Sequence, residues 1–274
     1  MSTVAAQLPR LEKVGRVTQV HVLRSEWTKL RSVRSTLWSF GAAVLLTIAL
    51  PVIFGAVTSA RWGQMAPDER AHRHPLDIAL AGVNLSQLAI GVLGVLVITA
   101  EYSTGMIRAS MTAVPKRLPV LWGKAVVFGA TTFALAVPSV IIAFYASQAL
   151  IDKHPTLKTS LSSPGVARAV IGGALYLLVF GLFCFAVGAI TRNTAGGIAT
   201  FVAIMFVIPP LMNVLPTNWN NAISQYLPSN AGRDIFSLTT GNHNLHPWPG
   251  FALFCGYTLA LIAVAAILLK RRDT

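Results

Sequence analysis

The side chains that could do chemistry are few, and their spacing rules out most reactions. The chain holds 9 acidic residues and 6 histidines among 274. His21, His72, His74, His154, His243 and His246 all lie outside the long apolar runs. None therefore meets a carboxylate at the spacing of a membrane-buried metalloprotease. His72 and His74 flank Arg73 and read as an incidental pair rather than a metal site. No G-x-S-x-G nucleophile turn occurs. Gly123-Lys124 is the only Gly-Lys pair, and it lacks the upstream Gly and following Ser/Thr of a phosphate-binding loop. No nucleotide site is expected in this chain, and no directly bound cofactor. Cys184 and Cys255 sit inside apolar runs, which makes them small hydrophobes rather than a disulfide framework.

One stretch keeps a pattern. From Glu101 to Lys124 the chain reads EYSTGMIRASMTAVPKRLPVLWGK. It opens on a carboxylate, followed by Gly105. A short amphipathic turn comes next, with Ile107 and Met111 on one side and Arg108 nearby. Pro115 stops that turn, because proline has no N–H to continue a helix. Lys116 and Arg117 then return the chain toward anionic headgroups. A short rigid helix presented this way suits docking onto a soluble partner. The plain alternative is that Glu101 caps a helix end and that Arg117 and Lys124 serve topology alone.

The elements that must hold this loop follow from where charges are missing. Hydrophobic residues make up 54% of the chain and charged ones 11%, with a mean hydropathy of +0.63. A soluble domain carries about a quarter charged residues, so the composition points into lipid. A helix needs roughly 20 apolar residues to cross. Four uncharged stretches of span length (37–60, 78–100, 125–151 and 169–191) and two longer ones divided by polar residues predict six spans, at about 37–60, 78–100, 120–151, 167–191, 194–215 and 249–269. Period-two segments of a β-barrel are missing from the pattern, so the expectation is an all-α integral membrane protein. Pro51, Pro138, Pro209 and Pro210 fall in or at the ends of spans as kink points. Ala174, Gly181, Gly188 and Ala195 recur every seven residues and predict close approach of a neighbouring helix.

The net charge of +13 first suggests an anionic partner such as nucleic acid. With both termini on one side, however, that side carries 15 basic and 4 acidic residues, against 7 and 5 opposite. The basic excess marks the cytoplasmic face. Both termini are expected there, with lipid and not nucleic acid as partner. The first apolar run starts too late and runs too long for a cleaved signal peptide. Residues 1–16 read as a polar tail and 17–274 as one transmembrane domain.

Val20, Leu23, Trp27, Leu30 and Leu37 recur at helical spacing, with Arg24, Lys29, Arg31 and Arg34 on other faces. That predicts an amphipathic helix in the headgroup layer; a solvated basic tail is the alternative. Between spans five and six, Asn213 to Trp248 is too apolar for an ordinary loop and too broken for a span. Short helices dipping in from the outside fit best, against a loose surface loop.

The loop quoted above resembles the permease subunits of ABC-2 type ABC transporters, particularly small six-span permeases of actinobacteria. Their pattern is roughly E-x-x-x-G-x-I-R-x-x-L-T-x-x-P-x-R. Glu101, Gly105, Ile107, Arg108, Thr112, Pro115 and Arg117 match it in register, and Met111 stands where Leu is usual. Arg24 to Trp38 and Leu227 to Gly232 are similar to the group's other segments. The resemblance implies an in-plane helix carrying Trp27, Leu30, Arg31 and Arg34, and a cytoplasmic coupling helix between spans two and three. The re-entrant extracellular segment expected between spans five and six rests on the residue pattern of Asn213 to Trp248. Glu101, Thr104, Gly105, Ile107, Arg108, Met111, Thr112, Pro115 and Arg117 would then form the docking site for a separate ATPase subunit. That subunit would use the ATP, and two permease copies, identical or related, would assemble in a bacterial plasma membrane to drive export. Two other classes stay open: an ion-coupled carrier or channel, and a non-transporting scaffold or immunity protein. The absence of ionisable residues deep within the spans argues against a proton-driven pump.

Overall fold

The structure, a computed structural model, describes residues 19–71, 73–103, 117–153, 157–238 and 244–271. Among the described residues every regular element is helical. Helix α1 (Gln19–Ser32) leads into α2 (Arg34–Arg61), followed by a short α3 (Pro67–Ala71) and α4 (Pro75–Ser103). The long α5 (Arg117–Ile151) and α6 (Val166–Thr191) come next. Then follow α7 (Thr194–Val202), α8 (Ile208–Leu211), α9 (Thr217–Ile223), α10 (Pro228–Arg233) and α11 (Pro247–Arg271). Six stretches are long and apolar enough to cross a bilayer: Arg34–Gln64, Pro75–Tyr102, Leu118–Ile151, Val166–Thr191, Thr194–Val214 and Pro247–Arg271. Each overlaps one of the six spans expected from the sequence, and the first, second and last extend past it at both ends to take in charged residues. Helices are what such runs must form, since hydrocarbon offers backbone N–H and C=O groups no other partners.

The first boundary differs from expectation. Arg34 opens α2 instead of continuing α1, because Val33 between them is extended at φ −83° and ψ 110°. The break lets α1 lie at an angle to α2 while Val33 still donates to the Lys29 carbonyl at 3.3 Å.

Helix α6 is the centre of the bundle, packed against α4, α5, α7 and α11. Phe180, Phe183, Cys184, Phe185 and Ala186 are buried there. The approach of α4 to α6 is set by missing side chains. A Cβ on Gly94 would fall 2.5 Å from the Gly181 carbonyl oxygen, and one on Gly188 would fall 3.0 Å from the Val95 Cα. Gly181 and Gly188 of the seven-residue series thus lie in the contact. Ala195 does not, since it sits on α7 and is exposed. On the other side of α4, a Cβ on Gly82 would fall 2.3 Å from the Thr47 carbonyl oxygen of α2.

The fifth span is not a uniform helix. Between α7 and α8 the residues Ala203–Val207 form a π-turn, with the Ile208 N–H donating to the Ala203 carbonyl. Pro209 and Pro210 follow at once. Each lacks an N–H and crowds the carbonyl four residues back, so the wider turn absorbs the mismatch as π-bulges do.

The segment between spans five and six folds into α9, α10 and short 3-10 turns. Ala231, Ile235 and Phe236 are buried there, and so are Ser229 and Asp234. It lies directly on α6, where a Cβ on Gly172 would come within 2.6 Å of the Ile235 carbonyl oxygen. A substitution at Gly94 separates this close contact from simple helix propensity. Gly94→Ala should lower stability by about 1–3 kcal/mol. Gly41→Ala, which meets nothing within 4 Å, should leave it unchanged or raise it. Thermal unfolding of the purified chain in detergent checks both.

Candidate functional site

Four charges converge where α1, α4 and α5 meet. The Lys124 ammonium donates to Glu26 Oε2 at 2.6 Å and to Glu101 Oε1 at 2.9 Å. Lys29 donates to Glu26 Oε1 at 2.7 Å and to the same Glu101 oxygen at 3.1 Å. Glu26, Glu101 and Lys124 are 4–5% exposed. The cluster is neutral as a whole, which is what makes burial tolerable: an isolated buried ion costs several kcal/mol. For Lys29, outside the spans, burial pulls the ammonium pKa down. The hydrogen bond to Glu26 and the charges of both carboxylates outweigh this, and its pKa ends above the ordinary lysine value.

Local structure explains how the charges meet. Val22 and Glu26 share the inward face of α1, and both are buried. Gly123, beside Lys124, allows that face in: a Cβ there would sit 2.9 Å from Val22 Cγ1. Trp27 and Val20 point the other way, 47% and 69% exposed. The apolar stripe of α1 is therefore offset from the face that binds the bundle. That offset suits a helix touching protein on one side and lipid on another.

Tyr102, the neighbour of Glu101, reaches a different set of elements. The Arg192 guanidinium lies over its ring at 5.3 Å from the centroid. Arg192 ends α6 in a left-handed conformation at φ 54°, and it donates to the Leu268 carbonyl of α11 at 3.3 Å. Asn193 caps α7 by accepting from the Gly196 N–H at 2.8 Å, and Thr194 donates to Thr99 of α4 at 2.8 Å. The last turn of α4 is thus tied through Glu101 to α1 and α5. Through Tyr102 and Thr99 it is tied to the α6–α7 corner, and Arg192 links that corner to α11. Beside the cluster is a crevice of about 290 Å³, walled by Leu30, Leu93, Leu96 and Val97 and floored by the charges.

Of the residues singled out in the sequence, Glu101 is in the cluster. Thr104, Gly105, Ile107, Arg108, Met111, Thr112 and Pro115 lie outside the described residues. Arg117 is the first residue of α5, and its side chain is likewise outside them. Leu30 packs against the core, while Arg31 and Arg34 are exposed. Sequence reading did not single out Glu26, and it discarded Lys124 as a failed phosphate loop or a topology signal. A signal existed for each. Glu26 is one of only two acids among the seven bases that precede the first span, and Lys124 is the last charge before the third apolar run.

Among the described residues no group of His, Cys, Asp and Glu side chains is arranged to hold a metal ion. The cluster offers fixed charge that ties α1, α4 and α5 together. No family model matches the chain, and no curated protein matches it.

Loss of one member should expose the balance. Lys124→Met leaves two buried carboxylates to share a half-exposed Lys29. It should cost about 3–5 kcal/mol, the usual result of removing one partner from a buried pair. Lys29→Met, at a side chain 37% exposed, should cost clearly less. Denaturation midpoints of the two variants in the same detergent measure the difference.

Proposed function

We propose that this chain is the membrane-spanning permease subunit of an ABC-2 type transporter, working as an exporter. Residues 104–115 dock on a separate ATPase subunit, and a second permease copy completes the assembly. The observation that carries the reading is the buried cluster of Glu26, Lys29, Glu101 and Lys124. Glu101 precedes that stretch and Lys124 follows it, so a push on the loop is delivered to a stiff joint. A joint made of buried ion pairs resists shear better than apolar side chains sliding past one another, since each pair is lost if geometry is lost. From it the displacement passes to α1 and α5, and through Tyr102 and Arg192 to the α6–α7 corner and α11.

In this reading α1 lies in the cytoplasmic headgroup layer, with Trp27 toward lipid and Arg31 toward water. Both termini are cytoplasmic in a bacterial plasma membrane. The segment of α9 and α10 is re-entrant from the outside, held against protein as irregular backbone in a bilayer must be. The chain binds no nucleotide itself, and ATP is used by the partner.

The test is co-purification with a phosphate-loop ATPase co-expressed from the same genome, followed by ATP-dependent transport in proteoliposomes. Arg108→Glu and Gly105→Trp should abolish capture of the ATPase while leaving the thermal stability of the permease intact. Capture and transport unchanged in both variants would sink the docking assignment. Transport by this chain alone, driven by an ion gradient without ATP, would replace the reading with that of a carrier.

A further inference from the structure

At the end of the bundle opposite the ion cluster is a second polar cavity, of about 420 Å³, that the permease reading does not use. It is built by the first turns of α4 and by α10 with the turn that follows it. Asp77 and Asn84 come from α4, and Arg233, Asp234 and Asn244 from the later segment. Asp77 and Glu101 are the two ends of one helix, separated by roughly 36 Å at 1.5 Å per residue.

Two buried acceptors in the cavity lack a donor. Asp234 is 4% exposed. Its Oδ1 accepts from Asn244 Nδ2 at 3.2 Å, while its Oδ2 is buried with no hydrogen-bond partner. The side-chain oxygen of Asn84 is also buried and unpartnered. Each orphan acceptor costs about 1–3 kcal/mol, and more for a charged one. The neighbouring cations do not supply the missing donors. Arg168 is committed to backbone, donating to the Ser237 carbonyl at 2.9 Å and to the Asp234 carbonyl at 3.4 Å. Arg233 is exposed at the rim, and among the described residues no ion pair with Asp234 forms. Asn230 spends its amide on the Ser224 carbonyl at 2.8 Å. Phe236 adds an aromatic wall, continuous with Tyr176 at 5.0 Å between ring centroids.

We propose that this cavity binds a small zwitterion, its primary ammonium held by Asp234 and Asn84 and its anionic group by Arg233. A primary ammonium brings three N–H donors, enough for Asp234 Oδ2, Asn84 Oδ1 and the Asp77 carboxylate at the mouth. The Phe236 ring adds cation–π attraction. The Arg233 guanidinium, an anion-matching fork, takes the phosphate or carboxylate that accompanies the amine. The volume is far larger than a bare metal ion needs, and among the described residues no group of three or more His, Cys, Asp and Glu side chains is arranged to hold one. An ammonium joined to a phosphodiester exists both as a soluble molecule and as a lipid headgroup.

Burial holds the Asp234 carboxyl up at about 6, against the Asn244 hydrogen bond and the Arg233 charge that lower it. Asp77 and Arg168 are the other charged groups facing it. Ionised Asp234 is the form that attracts an ammonium, so binding weakens as pH falls through 6. Between pH 7.5 and pH 5 the affinity should fall about tenfold, while the ammonium and phosphodiester of the probe keep their charges.

The experiment uses the full chain in phosphatidylcholine nanodiscs, with calorimetric titration of glycerophosphoethanolamine. A second arm follows the thermal stability of the chain as phosphatidylethanolamine replaces phosphatidylcholine in the disc. Response in the first arm identifies a soluble ligand, and response in the second alone identifies the lipid headgroup. Either result supports the site if Asp234→Asn weakens it at least tenfold. Asn84→Leu should weaken it severalfold and serves if the aspartate variant does not fold. No response in either arm overturns the proposal. Equal binding of glycerophosphocholine, whose ammonium has no N–H, also overturns it, as does stabilisation by calcium ions alone.

Discussion

Two glutamates and two lysines can be withdrawn from water together only if every carboxylate oxygen used faces an ammonium at hydrogen-bond distance. Three of the four oxygens of Glu26 and Glu101 face Lys124 or half-exposed Lys29 at 2.6–3.1 Å, and Glu101 Oε2 alone is buried without a partner. The constraint is directional in a way apolar contact is not. It fixes where α1 lies against α5, and it places the last turn of α4 within reach of both. The extended break between α1 and α2 at Val33, the glycine at 123 and the outward turn of Trp27 all accord with it.

The opposite end is organised by another economy. There the chain returns as short helices laid on α6, with buried Ser229 and Asp234 among apolar neighbours. Arg168 bonds backbone carbonyls of the turn after α10 and so holds that turn against α6. Deeper in, the Tyr176 hydroxyl donates to Gln87 Oε1 at 2.5 Å. Asp77, Asn84 and Gln87 recur at helical spacing along α4, so one polar stripe leads from the cavity toward the middle of the bundle. The two ends are joined by α4, which is rigid because the glycine contacts with α2 and α6 bring backbone against backbone. A rigid element with a polar site at each end can carry a displacement from one to the other, and a proposal of coupled transport needs such an element.

Helix α5 and the fifth span show how much irregularity the same bundle tolerates. Pro138 lies within α5, and the π-turn before Pro209 absorbs the change of pitch without leaving the helical path. The fifth span is also among the least covered by the rest of the chain. Its exposed faces meet lipid, or a second copy in the assembly proposed above.

Six apolar runs separated by charge were enough to determine six helices and their approximate ends, because hydrocarbon leaves the backbone no alternative. Charge asymmetry alone carried the expectation of orientation. Hydrophobic pattern could also show that residues 17–37 are amphipathic and that the stretch before the last helix is neither span nor loop. It could not reveal that Glu26 turns inward, since one acid among many bases looks like any solvated side chain. Nor could it show that Lys124 is buried, because a lysine at a span boundary has the same local pattern whether it snorkels to water or meets two carboxylates. Glu26 and Lys124 are 98 residues apart, and Asp77 and Asp234 are further apart still. Local patterning selects helices, but which polar groups share a site depends on how those helices close on one another, and here glycine contacts and ion pairs settled that.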